Sequence, residues 1–257
     1  MEDIGPIVSR KILGMRVDFS SYDDAVERVL RAAEKRQPFW LCPASVHTVI
    51  ERHHNSMFRE IMDSASLVTT DGVPLVWTLR ILGIRRAQRV YGPTLTERIL
   101  ECASNTEMSV GFYGSSQRVI ETMAVRLKQR WPRLHIVYAH APPYRPATPE
   151  EDLATVRNIK ESGARILFVG LGCPKQETWS YDHYRILNIP ILAVGAAFDF
   201  IAGVKPQAPK WMQSAGLEWL FRLLSEPRRL WRRYLLINPA FLFLLAAQLV
   251  GLRRFDR

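Results

Sequence analysis

The chain has 257 residues, long enough for a full hydrophobic core, and its 47% apolar and 23% charged composition excludes a disordered or fibrous protein. Its three cysteines, Cys42, Cys102 and Cys173, lack C-x-x-C or His-rich spacing, which excludes a disulfide framework and a structural zinc site and fits a reducing cytoplasm. Of the net charge of +10, +7 falls in residues 204–257, where ten Lys or Arg face only Glu218, Glu226 and Asp256, so an acidic partner belongs to the C-terminal end.

The first five residues carry no basic stretch followed by an apolar one, so no secretory signal is expected in them. A β-branched run at 14–19 reads as a strand. Ser21 and Asp24 then form a capping signature ahead of Ala25, Val26, Val29, Leu30 and Ala33, which keep helical spacing. Further strands are expected at 39–42, 67–69, 109–113, 135–139, 165–169 and 191–194. Thr94 with Glu97 and Thr148 with Glu151 mark two more helix starts. Strands separated by helices predict an α/β fold, a largely parallel, Rossmann-like sheet with helices on both faces. Right-handed crossovers bring all strand C-termini to one edge, where ligands bind.

Past Gly203 the alternation stops, so the expected division is an α/β core at 1–203 and a basic, amphipathic helical appendage at 204–257. Leu217, Leu220, Phe221 and Leu224 make one helical stripe. After Pro227, Leu230, Trp231, Tyr234 and Leu235 alternate with Arg228, Arg229, Arg232 and Arg233. Clustered arginine with Trp and Tyr beside an apolar run suits an anionic membrane surface. The apolar run 239–252 reaches about 21 Å as a helix, short of the roughly 30 Å hydrocarbon core. It therefore reads as a membrane-associating helix that lies flat or dips in, or else as a core helix packed on the sheet. Nucleic acid is not expected as a partner, because a groove binder has little use for apolar residues 241–245 at its basic face.

The residues that could do chemistry sit at strand ends. Asp71, in Thr69-Thr70-Asp71-Gly72, is either a base or a helix cap. Arg89 follows eighteen residues later, with a guanidinium suited to a diphosphate or to a surface carboxylate. Gly114 opens a turn ahead of a helix. Leu167 to Trp179 read as a buried strand emptying through Gly170 and Gly172 into a helix begun by Pro174, with Lys175 and Gln176 in its first turn, where free N–H groups attract anions. Asp199 is expected at the end of the last core strand.

Together these turns resemble a known family. Asp71-Gly72, Arg89-Val-x-Gly92, Gly170-Leu-Gly-x-Pro-Lys-Gln-Glu-x-Trp179, Gly195-x-x-Phe-Asp199, Ala208-Pro-Lys-Trp211 and Gly216-Leu-Glu-Trp-Leu-x-Arg-Leu-x-x-Glu-Pro-x-Arg229 strongly resemble the WecG/TagA/CpsF glycosyltransferases, glycosyltransferase family 26, from about residue 12 to 233. The resemblance implies an inverting, metal-independent transfer from a UDP-sugar donor to a polyprenyl-diphosphate-linked saccharide acceptor, at the cytoplasmic face of the cell membrane, with no cofactor. It places the general base on Asp71 and donor contacts on Arg89, Gln176 and Asp199, and it implies a C-terminal appendage that closes the site at the membrane, with Arg222 and Arg229 or Arg232 able to reach diphosphate. Beside these, Ser45 and the glycine turns at Gly114 and Gly172 read as further donor contacts, and Arg228 and Trp231 as further acceptor or membrane contacts. Where better-known members carry Thr-x-Asn after the second strand, this chain has Pro43-Ala44-Ser45, with Ser45 keeping a short hydrogen-bonding group and His47 close behind. The donor sugar stays open among N-acetylmannosamine, its uronic acid, glucuronic acid and glucose.

The residue chemistry agrees. Inverting transfer needs a single carboxylate base and cations for the leaving diphosphate, and no Asp-x-Asp metal clamp occurs in the chain. A nicotinamide-dependent oxidoreductase fits less well, since Pro-Lys-Gln stands where the third glycine of Gly-x-Gly-x-x-Gly is needed. A catalytically inactive membrane adaptor on the same fold is the remaining alternative.

Overall fold

A computed structural model of the protein describes residues 5–253 and 255. Its centre is a six-stranded sheet of β3 (Phe39–Ala44), β4 (Leu67–Thr70), β5 (Val110–Gly114), β6 (Ile136–His140), β7 (Ile166–Gly170) and β8 (Pro190–Ala193), in the order β4-β3-β8-β7-β5-β6. Every pairing is parallel, as the alternation of strands and helices predicts. Parallel strands expose no face to water, so both sets of alternating side chains must be apolar. Trp40, Cys42, Val68, Leu167, Val169 and Ile191 pack on one face, and Leu41, Leu67, Phe112, Ile166, Phe168 and Leu192 on the other.

The run at 14–19 behaves differently from the others. It forms β2 (Met15–Asp18), which pairs antiparallel with β1 (Ser9–Ile12) through a turn at Leu13 and Gly14 and stands outside the parallel sheet. The hairpin covers the edge of β4: the Val68 N–H donates to the buried Asp18 Oδ2 at 2.8 Å. An exposed edge strand invites unwanted pairing, and this cover removes that liability. A two-strand ribbon carries the same local pattern as a sheet strand, which is why its sequence reads alike.

Two of the three capping signatures are used. Ser21 Oγ accepts from the Asp24 N–H at 3.0 Å, and Thr148 with Glu151 closes a reciprocal box. Thr94 does not start its helix, which begins earlier as Gly92–Asn105 because Pro93 suits the first turn. Asp199 lies within the short helix Ala197–Ile201, beyond the end of β8.

The C-terminal segment is helical, with Lys210–Ser214, Glu218–Ser225, Pro227–Arg232, a π-helical turn at Arg233–Ile237, and Asn238–Leu249. Pro227–Leu249 run as one helical stretch of 23 residues, long and apolar enough by length and composition to cross a membrane. Its two sides differ. Phe241, Leu244 and Leu245 are buried in the same cluster as Trp40 and Met15, against the helix Val46–His54. Leu235, Leu236, Leu242, Phe243, Val250 and Leu252 are exposed. Gln248 also fastens the helix to the hairpin, its Oε1 accepting from the Leu13 N–H at 2.8 Å and its Nε2 donating to the Lys11 carbonyl at 2.9 Å. The break at Gly203 is thus a change of charge and of pattern, and the last helix packs across it.

Candidate active site

β3 and β4 end side by side, and the residues just beyond them, Ser45 and Asp71, set the floor of a cavity of about 110 Å³. The core contributes Ser45, His47, Asp71 and Arg89, and the C-terminal segment closes over them with Gly216, Glu218, Trp219, Arg222, Tyr234 and Asn238. Of the residues assigned from sequence, Ser45, Asp71, Arg89 and Arg222 are brought together here.

Asp71 is partly exposed to this cavity. It does not cap the helix that follows, Val73–Ile81, whose cap is Gly72. Its backbone N–H is tied to the Ala44 carbonyl at 2.9 Å, and its Oδ1 accepts from the Gly92 N–H, in the first turn of the next helix, at 2.7 Å. Burial pushes its carboxyl up to about 6, and Glu218 adds to that; Arg89, the Gly92 N–H and Arg222 pull the other way. A carboxylate tuned to that range is ionised near neutrality yet basic enough to take a proton.

Arg89 stands beside it. The segment carrying it is stitched to β4 by Val90 N–H to Thr70 carbonyl at 2.9 Å and by Thr70 Oγ1 to Gln88 carbonyl at 2.6 Å. Its Nε donates to the Asp71 carbonyl at 2.5 Å, its guanidinium lies 4.2 Å over the Tyr91 ring, and its Nη2 meets Glu218 Oε2 at 2.6 Å. The sequence reading gives Glu218 itself no role. The available signal is that Glu218 is one of only three acids in a strongly basic segment.

The other assigned residues lie away from this cavity. Gln176 is buried with its amide fully engaged: Oε1 accepts from the Gly172 N–H at 3.1 Å, and Nε2 donates to the Ala193 carbonyl at 2.9 Å and to Glu177 Oε1 at 3.0 Å. The amide therefore pins the turn after β7 to the end of β8. Gly172, at φ +80°, faces open space at that turn. Asp199 Oδ2 is paired with Lys205 at 2.8 Å, Lys205 reaches Glu226 at 3.3 Å, and Glu226 pairs with Arg229 at 2.6 Å. Arg228, Trp231 and Arg232 are exposed, with the Arg232 guanidinium over the Trp231 ring. Ser45, besides lining the cavity, is the N-cap of Val46–His54, its own N–H donating to Thr48 Oγ1 at 3.2 Å.

Gly114 has a packing reason of its own. It pairs with Gly170 across β5 and β7 at φ +126°, and a Cβ there would meet the Gly170 backbone at 2.6 Å. Gly114→Ala is expected to destabilise the fold by on the order of 2 kcal/mol or more, since neither backbone can give way. A denaturant midpoint equal to that of the parent protein would contradict this.

Among the described residues, no group of three or more His, Cys, Asp or Glu side chains gathers where a metal ion could be held. The cavity sets two carboxylates, Asp71 and the Arg89-paired Glu218, against guanidinium groups at the C-terminal edge of a parallel sheet, an arrangement able to deprotonate a hydroxyl beside a leaving anion.

The sequence profile of the Glycosyl transferase WecG/TagA/CpsF family matches residues 10–255. Among curated proteins, the chain is similar to the N-acetylglucosaminyldiphosphoundecaprenol N-acetyl-beta-D-mannosaminyltransferases of Staphylococcus aureus strains MW2 and NCTC 8325 / PS 47. Each is 28% identical over 238 residues, covering 91% of this chain and 91% of the relative.

Proposed function

This chain belongs to the glycosyl transferase WecG/TagA/CpsF family and is a glycosyltransferase of cell-envelope polysaccharide synthesis, and from that premise we propose that it moves N-acetylmannosamine from UDP to a polyprenyl-diphosphate-linked N-acetylglucosamine. The donor and acceptor sugars follow the name of the relatives. The observation that carries the reading is the partly exposed Asp71 carboxylate at the end of β4, flanked by Arg89 and Arg222.

Asp71 takes the proton of the acceptor hydroxyl as that oxygen bonds to the anomeric carbon. The bond from that carbon to the diphosphate oxygen breaks on the opposite face, so the configuration inverts and UDP leaves with the electron pair. Arg89 and Arg222 hold the charge of the departing diphosphate, which lets the transfer run without a metal ion. Gln176 acts at one remove, by holding the Gly172 turn and the end of β8 in place for the donor. Arg228, Trp231 and Arg232, with exposed Leu235 and Leu236, lie on the cytoplasmic headgroup layer of the cell membrane and keep the mouth of the cavity at the lipid-linked acceptor.

The test is a donor panel. UDP-N-acetylmannosamine, its uronic acid, UDP-glucuronic acid and UDP-glucose are each offered with polyprenyl-diphosphate N-acetylglucosamine, and the lipid is weighed by mass spectrometry. A gain of one N-acetylhexosamine from the first donor, undiminished in chelator, is expected. No mass gain from any donor would overturn the reading, and a gain lost in chelator would overturn its metal-free form.

A further inference from the structure

The core helix Val73–Ile81 is apolar on two sides. Leu75, Val76 and Leu79 are buried in the cluster on one face of the sheet. Trp77 and Ile81, four residues apart and so on one face of the helix, are 53% and 63% exposed. Arg80 is exposed beside them, and the loop that follows exposes Arg85 and Arg86. From residue 72 to 96 the chain carries four arginines and no acid. Of these four only Arg89 has a part in the reaction. Single exposed apolar side chains are ordinary, but a Trp and Ile stripe set among arginines calls for a partner that is both apolar and anionic.

This helix and the last helix, Asn238–Leu249, begin and end at the same places. Val73 and Pro74 at the start of one, and Ile237 and Asn238 at the start of the other, line the same cavity. The first ends where the Arg10 Nε donates to the Leu82 carbonyl at 3.1 Å, and the last where the Gln248 Nε2 donates to the Lys11 carbonyl at 2.9 Å. Both pack inward on the same apolar cluster. They therefore run the same way, from the cavity to the hairpin of β1 and β2, over one face of the sheet. Each turns an apolar side outward, Trp77 and Ile81 on one and Leu242 and Phe243 on the other. The hairpin adds the exposed Arg10 and Lys11. Trp77 also adjoins the C-terminal segment, since a Cβ on Gly216 would stand 3.7 Å from its ring.

We propose that the exposed side of Val73–Ile81 is a second membrane-docking surface, carried by the core, with Trp77 and Ile81 in the headgroup layer and Arg80, Arg85 and Arg86 on anionic lipid phosphates. This rests on the reading of the protein as acting at a membrane surface, where the C-terminal arginines are the other contact. Tryptophan is enriched where hydrocarbon meets water, and clustered arginine beside it is drawn to anionic lipid. A second copy of the chain would set the same arginines against each other, a repulsion that an anionic bilayer turns into attraction. Two contacts on one body also fix its orientation, which a single C-terminal contact leaves free to swivel. With both helices on the bilayer, the mouth of the cavity faces the headgroups. The diphosphate of the acceptor then reaches Asp71 without its polyprenyl chain leaving the membrane.

The experiment measures co-sedimentation of the full chain with vesicles of equal parts phosphatidylcholine and phosphatidylglycerol, and with vesicles of phosphatidylcholine alone. Arg85→Glu combined with Arg86→Glu is expected to weaken binding to the anionic vesicles at least tenfold, a difference that high salt erases. Ile81→Ser changes no charge and is expected to weaken binding roughly fivefold at either salt concentration. UDP affinity and melting temperature should stay those of the parent in both variants, since none of the three residues lines the cavity. If the Arg85 and Arg86 variant binds anionic vesicles like the parent while Arg228→Glu with Arg232→Glu does not, the core surface is overturned and the C-terminal contact stands. If the parent binds neither kind of vesicle, the membrane reading falls and this surface with it. A parent dimer that becomes a monomer in Ile81→Ser, with vesicle binding intact, would make the face a contact between copies and overturn the proposal.

Discussion

Asp71→Asn is expected to abolish transfer while making the protein more stable. Asparagine keeps an oxygen to accept the Gly92 N–H, so the local geometry persists. It cannot take a proton, and losing a general base costs about 10²- to 10⁴-fold in rate. The stability gain follows from the shift of the Asp71 carboxyl from 3.8 to about 6, caused first by burial. Because the folded-state value lies above the unfolded one, the native protein binds this proton more tightly than the unfolded chain does. The associated stability is complete below about pH 4 and is lost as pH rises through about 6. At pH 7.5 the parent therefore bears the cost of an ionised, largely covered carboxylate, on the order of 1–3 kcal/mol for a group that keeps some exposure. The variant escapes it, and its melting temperature should rise. The same shift sets the pH profile of the parent: kcat/KM should climb with pH and level off above about 6, since only the ionised form is a base. A variant that loses activity and stability together would make Asp71 a structural residue. A profile flat from pH 5 to 7 would remove it as the base.

How the site came to be readable differs residue by residue. Asp71 was legible because it follows a β-branched strand in an alternating pattern, and parallel topology sends every such end to one edge; Arg89, in the loop between the helices Val73–Ile81 and Gly92–Asn105, was legible through the family resemblance and its place ahead of a helix start. Gln176 was legible as important, yet its task is internal: a glutamine four residues beyond a glycine turn has the reach to accept that turn's N–H, and spacing alone cannot tell this from contact with a ligand. Gly114 is similar. Its positive φ and its contact with the Gly170 backbone are set by register across β5 and β7, a long-range pairing with no local mark in the sequence. The hairpin of β1 and β2 was half legible, because Lys11 and Arg10 interrupt β1 and hide its strand character. Least legible was Glu218, whose meaning depends on Arg89 lying 129 residues away in the chain. Its isolation among cations was visible, but not which cation it would choose.

Ending the chain after Gly203 is the second large test, and it is expected to unfold the core as well as release it from membranes. Composition suggests a clean cut there, because the basic, amphipathic pattern begins at that point. Packing argues otherwise. Phe241, Leu244 and Leu245 are each at most 9% exposed and belong to the cluster that holds Trp40, Met15 and Val49. Full burial of such side chains stabilises by about 1.5–3 kcal/mol each, so removing the helix Asn238–Leu249 forfeits roughly 5–9 kcal/mol and leaves an apolar face in water. Whole domains are stable by only about 5–15 kcal/mol. Two further losses compound this: Gln248 no longer satisfies the Leu13 N–H and the Lys11 carbonyl, and Arg89 is left half-buried without Glu218. The truncated protein should therefore melt far below the parent or aggregate on purification, and its failure to bind vesicles would say nothing about the membrane. Charge reversal of the exposed Arg228 and Arg232 in the full chain separates the two effects, since it leaves the buried side of the last helix untouched. Anionic vesicle binding should fall at least tenfold while the melting temperature stays within a few degrees. A truncated core that melts like the parent would show instead that the last helix only rests on the sheet, and that the break in composition at Gly203 is a true domain boundary.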